Sequence, residues 1–145
     1  MMFLLLLAAI GCKNAPKEQV QVALTEHEWE LKSMTKADSV LKNPGQLPTL
    51  FFSDSTAVYG FAGCNRFFGT YEVEKEGKIT IKPGGATMMY CPDLTFEDAY
   101  LKALAEVKMY VIEGKELKLT DGDGKLILLY GLAEGASAGS ARDTL

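Results

Sequence analysis

The sequence predicts an α+β fold: mostly antiparallel strands in a curled sheet or barrel-like arrangement, with one packed α-helix. Three observations carry this. Short segments alternate apolar and polar residues with period two, Lys78-Ile79-Thr80-Ile81-Lys82 most cleanly. Turn signals separate these segments closely, so neighbouring strands run antiparallel. One stretch, beginning at Thr95, spaces its apolar residues for a helix instead.

Taken in order, residues 28–34 form the first strand, with Trp29, Leu31 and Met34 inward. Residues 35–45 are polar and end in the turn signal Asn43-Pro44-Gly45. An apolar run over residues 47–52, the turn Ser53-Asp54-Ser55 and a strand over residues 56–61 make a hairpin. In the following loop Gly63, Asn65 and Gly69 permit left-handed or bulged backbone, and a strand restarts at residues 71–74. Lys75-Glu76-Gly77 turns the chain into residues 78–82, a strand that Pro83-Gly84-Gly85 ends.

In the helix, Thr95 and Asp98 have the spacing of a capping box. Phe96, Tyr100, Leu104 and Val107 share one face, while Glu97, Lys102 and Glu106 fall on the other. Strands over residues 109–112, 117–119 and 126–130 follow, joined by Glu113-Gly114-Lys115 and Asp121-Gly122-Asp123-Gly124. The expectation is seven or eight short strands and one helix.

The chain has 145 residues, a length that suits one domain. Its formal net charge is −4, and no run of Lys or Arg offers a footprint for phosphates, so nucleic acid is not an expected partner. Residues 1–11 are apolar throughout, too short to span a bilayer but suited to the hydrophobic region of a secretory signal. No Lys or Arg precedes that run. Ala9-Ile10-Gly11-Cys12 resembles the bacterial lipobox. The resemblance implies cleavage before Cys12, diacylglyceryl transfer to its thiol and a membrane partner reached through that lipid. Residues 12–25 then read as a lipidated tether, 26–131 as the domain and 132–145 as a disordered tail. Lys13, where inner-membrane lipoproteins favour Asp, points to the outer membrane, facing the periplasm.

With Cys12 lipidated, Cys64 and Cys91 remain, an even pair in an oxidising compartment. A structural disulfide is the favoured reading and would contribute about 3–4 kcal/mol. Two buried thiols, or a redox or metal-binding dithiol, are the alternatives, although redox cysteines normally lie close together as Cys-x-x-Cys.

Gly63-Cys64-Asn65-Arg66-Phe67-x-Gly69-x-Tyr71, followed by Thr87-Met88-Met89-x-Cys91-Pro92, resembles the META domain family, which includes the heat-shock protein HslJ. Trp29-Glu30-Leu31, Leu50-Phe51-Phe52 and Glu116-Leu117-Lys118-Leu119 fit the same order, so the match spans residues 28–130. The resemblance implies an envelope lipoprotein with links to stress and antibiotic tolerance. It brings no catalytic residues.

Within the motif, Asn65 suits a left-handed turn or a side chain that ties the loop. Arg66, Phe67 and Phe68 could form an exposed recognition patch, but packing of Phe67 or Phe68 in the core is favoured. Gly69, Tyr71, Thr87, Met88 and Met89 complete the possible interaction residues. Met88, Met89 and Cys91, with Met34 or Met109, could be soft ligands for Cu(I), yet such methionines more often fill core gaps. Zinc lacks ligands, since His27 stands alone. Asp121-Gly122-Asp123-Gly124 begins like a calcium loop but has Leu132 at the twelfth position. Pro83-Gly84-Gly85 lacks the Lys-Ser/Thr of a phosphate loop. No Ser-His-Asp or Cys-His set can be assembled, so no catalysis, metal or cofactor is expected. The favoured function is a non-enzymatic, lipid-anchored envelope protein that binds an unknown envelope partner. A small-ligand or copper-binding module and a protease-inhibitor-like module are the alternatives.

Overall fold

A computed structural model describes residues 22–37, 39–42 and 45–134. The signal segment, Cys12, the first part of the tether, Asn43, Pro44 and the chain after Glu134 lie outside the described residues.

Period-two alternation becomes one curled, antiparallel, nine-stranded sheet. Its strands are β1 (Glu28–Lys36), β2 (Ser39–Leu41), β3 (Thr49–Phe52), β4 (Ala57–Phe61), β5 (Arg66–Val73), β6 (Ile79–Ala86), β7 (Met109–Glu113), β8 (Glu116–Thr120) and β9 (Leu126–Leu132). The spatial order is β6-β5-β4-β3-β1-β9-β8-β7, with β2 beside β1. The sheet curls until its end strands approach: Lys78 bridges Met109, and the Ile79 N–H donates to the Lys108 carbonyl at 3.0 Å. The helix α1 (Thr95–Glu106) packs against β6. Curling in this way shields an otherwise open edge.

Inward residues of every strand but β2 join the apolar face of α1 in one core, to which β7 adds the partly buried Tyr110 and Ile112. Trp29, Leu50, Phe52, Leu128 and Tyr130 are fully buried, and Tyr100 and Leu104 of α1 close over them. Tyr100 lies edge-on to Phe67 and stacks on Phe96. Its hydroxyl hydrogen-bonds that of Tyr130 at 2.8 Å, so neither buried polar atom is left unpaired.

Two irregularities decide which residues point inward. The β1–β9 register shifts between Leu31 and Ser33, so Trp29, Leu31 and Met34 all face the core despite their unequal spacing. The β5–β6 register shifts between Phe68 and Gly69, opposite Pro83. A Cβ on Gly69 would strike the Lys82 carbonyl oxygen and crowd Pro83, so only glycine fits that close approach.

Several elements differ from the sequence reading. The strand after the glycine loop starts at Arg66 rather than at Tyr71, and β6 continues through Pro83-Gly84-Gly85 to Ala86. Proline is tolerated there because β6 is an end strand and Pro83 sits at the bulge. Part of the polar stretch over residues 35–45 forms β2, whose residues are all exposed and so show no alternation. Thr95 does not cap α1 with Asp98; instead Asp93 Oδ1 accepts the Thr95 N–H at 2.8 Å. Glu97 is buried rather than solvent-facing. At the ends, β9 reaches Leu132, and Val22 is buried while Trp29 Nε1 donates to the Leu24 carbonyl at 3.0 Å. Packed structure therefore begins before Glu26.

Among the described residues, no helix is long and apolar enough to cross a membrane.

Candidate functional site

The motif residues converge where the connection from β4 to β5 meets the connection from β6 to α1. Gly63 starts the first connection with φ of 119°, a conformation that glycine adopts without a Cβ penalty. The Asn65 carbonyl then accepts the Ala62 N–H at 2.9 Å, closing a tight turn. This turn aims the backbone N–H groups of Cys64 and Asn65 at the first turn of α1.

Glu97 receives them. Its Oε1 accepts the Asn65 N–H at 2.6 Å and the Cys64 N–H at 3.2 Å, while Oε2 accepts Asn65 Nδ2 at 2.8 Å. Asn65 uses its other side-chain atom in the opposite direction: Oδ1 accepts the Met89 N–H at 2.7 Å and the Thr87 hydroxyl at 3.1 Å. Thr87 Oγ1 in turn accepts the Arg66 N–H at 3.1 Å, and the Thr87 N–H donates to the Arg66 carbonyl at 2.9 Å. Asn65 and Glu97 are 4% and 6% exposed, so each bond replaces solvation that burial removed. The first turn of a helix also favours an acid, because its backbone N–H dipoles point there.

Cys64 and Cys91 form a disulfide, with Cα atoms 6.5 Å apart and a sequence separation of 27. The loop from Thr87 to Cys91 is therefore held at one end by Asn65 and Arg66 and at the other by sulfur. Within it, Met88, Met89 and Tyr90 are 95%, 56% and 97% exposed. Polar groups face in and large apolar groups face out.

The remaining motif residues divide cleanly. Phe67 is buried against Tyr100, whereas Arg66 and Phe68 share the outer face of β5. The Phe68 ring lies over Gly85, where a Cβ would meet it at 2.7 Å. Tyr71 packs edge-on to Phe52 and donates its hydroxyl hydrogen to the Ser53 carbonyl, tying β5 to the β3–β4 turn. Gly69 serves the bulge. Thus Asn65 ties its loop and Phe67 is a core residue, as read from sequence, while Glu97 was missed. Periodicity put Glu97 on the outer face, and its only sequence signal is an acid in the first helical turn after the second motif cysteine.

The soft-ligand set does not assemble. Met34 is sealed in the core, Met88 points to solvent, Met109 lies on β7 and both cysteines are in the disulfide. Among the described residues, no cluster of three or more His, Cys, Asp or Glu side chains could hold a metal ion. The Asp121-Gly122-Asp123-Gly124 segment is the β8–β9 turn, with Asp121 Oδ1 accepting the Asp123 N–H at 3.1 Å.

The family model of the META domain matches residues 22–134. Among solved structures, an NMR structure of a protein from Burkholderia xenovorans is similar at 27% identity and a TM-score of 0.65, covering 77% of this chain and 84% of that one. A crystal structure of a DUF4847 family protein from Bacteroides vulgatus shares the fold at 10% identity and a TM-score of 0.59, covering 78% of this chain and 96% of that one. No curated protein matches the chain.

Proposed function

The chain belongs to the META domain family, and from that premise we propose that it is a non-enzymatic, lipid-anchored protein of the cell envelope that acts by binding a partner. One observation carries the binding part: the polar motif residues are spent on each other, and what they hold outward is Met88, Met89 and Tyr90. A loop backbone already fixed by Asn65 and the disulfide loses less chain entropy on binding, which favours recognition. The lipid anchor is supported by Ala9-Ile10-Gly11-Cys12, and outer-membrane placement facing the periplasm by Lys13. A role in stress or antibiotic tolerance is the corresponding physiological reading.

Intact mass of the protein from its native membrane tests the anchor. A chain starting at Cys12 with acyl groups, whose other two thiols label only after reduction, supports the proposal. An unprocessed chain without lipid refutes it.

The pinned loop also favours a second reading, a module that blocks a protease cleft. Serine proteases that accept Tyr or Met provide the assay: inhibition lost in Tyr90→Ser supports it, and no inhibition by the intact chain removes it.

A further inference from the structure

We infer that the docking surface is the tip formed by Met88, Met89 and Tyr90 with Phe68 and Arg66, and that its occupant is a different protein presenting an apolar socket with an acidic rim. The inference rests on the partner-binding function proposed above and specifies its surface.

Position comes first. The tip stands where β6 ends and β5 begins, because Thr87 and Arg66 are paired there. The described chain begins at the other end of the same hairpin, where Val22 and Leu24 share a shallow groove with Gly77. The eight residues of β6 separate the two ends by about 25 Å at a strand's rise per residue. A domain tethered through the segment before Val22 thus carries the tip on its far side.

Shape comes second. Scaled by their exposures of 95%, 56%, 97% and 63%, Met88, Met89, Tyr90 and Phe68 together offer roughly 500–750 Å², taking about 150–250 Å² for a fully exposed large side chain. That is short of the ~800 Å² per partner of a standard interface. Two surfaces of protruding, exposed side chains, each carrying the same Arg66 charge, complement each other poorly, so a second copy of this chain is a poor occupant. A concave partner adds its own rim and encloses the anchors.

Charge comes third. Arg66 is exposed beside Phe68 on the outer face of β5 and forms no salt bridge among the described residues, where the pairs are Lys32–Glu116 and Lys36–Glu106. An unspent guanidinium next to aromatic anchors matches a carboxylate at the edge of a socket.

The test is photo-crosslinking in cells, with the full chain carrying benzoylphenylalanine at position 90, and at Val40 and Val111 as controls. We expect a protein adduct from position 90, with the crosslink mapping to an apolar segment flanked by Asp or Glu. Arg66→Glu should cut its yield at least fivefold, and Arg66→Lys should largely restore it. Among the described residues the exposed Arg66 side chain makes no hydrogen bond or salt bridge, so thermal denaturation of Arg66→Glu should match the parent. An adduct between two copies of this chain, an adduct with lipid, or a yield indifferent to Arg66→Glu overturns the inference. Adducts from Val40 or Val111 but not from position 90 overturn this surface and leave partner binding standing. No protein adduct from any position overturns both.

Discussion

Asn65 and Glu97 grip each other twice: the Asn65 backbone N–H meets Oε1 at 2.6 Å and its side-chain Nδ2 meets Oε2 at 2.8 Å. The contact joins a β-connection to a helix across 32 residues of sequence. Because both residues are buried, removing one leaves the other's polar atoms without water.

Glu97→Ala therefore strands the N–H groups of Cys64 and Asn65 together with Asn65 Nδ2. A loss of about 3–5 kcal/mol is expected in chemical denaturation. Glu97→Gln keeps one acceptor for the two backbone donors but turns an amide NH₂ toward Asn65 Nδ2. It should cost about 1–2 kcal/mol.

Replacing Cys64 and Cys91 together by Ser releases the loop between them. The chain-entropy model gives a loss of about 3–4 kcal/mol for this separation. The same loss should follow from adding reductant to the parent, measured as a fall in its denaturation midpoint.

Gly69 and Gly84 lie on adjoining strands and predict opposite outcomes. A Cβ on Gly69 would overlap the Lys82 carbonyl, so Gly69→Ala should destabilise by about 2–3 kcal/mol. A Cβ on Gly84 would meet the Phe68 carbonyl oxygen at 3.5 Å, an ordinary contact. Gly84→Ala should stay within about 1 kcal/mol of the parent and could gain from a stiffer unfolded chain. Thermal denaturation of the two variants side by side checks both.

Tyr100 and Tyr130 set a pH limit. Burial holds both phenols well above the usual range, and for Tyr130 the neighbouring Tyr100 raises it further. The folded state binds these protons more tightly than the unfolded state does. Their contribution is complete below the ordinary tyrosine pKa of 10.0 and is lost as pH rises above it. Stability should fall from about pH 10 upward, and less steeply when both residues are Phe. Urea denaturation across that range is the measurement.

How much could be read in the sequence follows from which interactions are periodic. Ile79 and Ile81 alternate with exposed Thr80 and Lys82, and Phe96, Tyr100 and Leu104 recur at helical spacing, so their elements were legible. Pro83 misled because a bulge on an end strand tolerates it, and Gly69, read as permitting bulged backbone, lies within β5 rather than ahead of it. Glu97 misled for a different reason. A helical wheel sorts residues by angle about one axis, whereas a first-turn carboxylate can reach past the helix end to a loop 32 residues away in sequence. The motif residues were recognisable as a group, but their division into a clasp and a display depends on that one long-range contact.

A double-mutant cycle on Asn65→Ala and Glu97→Ala tests the clasp most directly. If the pair holds the loop as described, the two losses should overlap, leaving a coupling of about 2–3 kcal/mol in denaturation free energy. Losses that add to within about 0.5 kcal/mol would mean that the two residues act independently, and the clasp would not be what holds Met88 and Tyr90 in place.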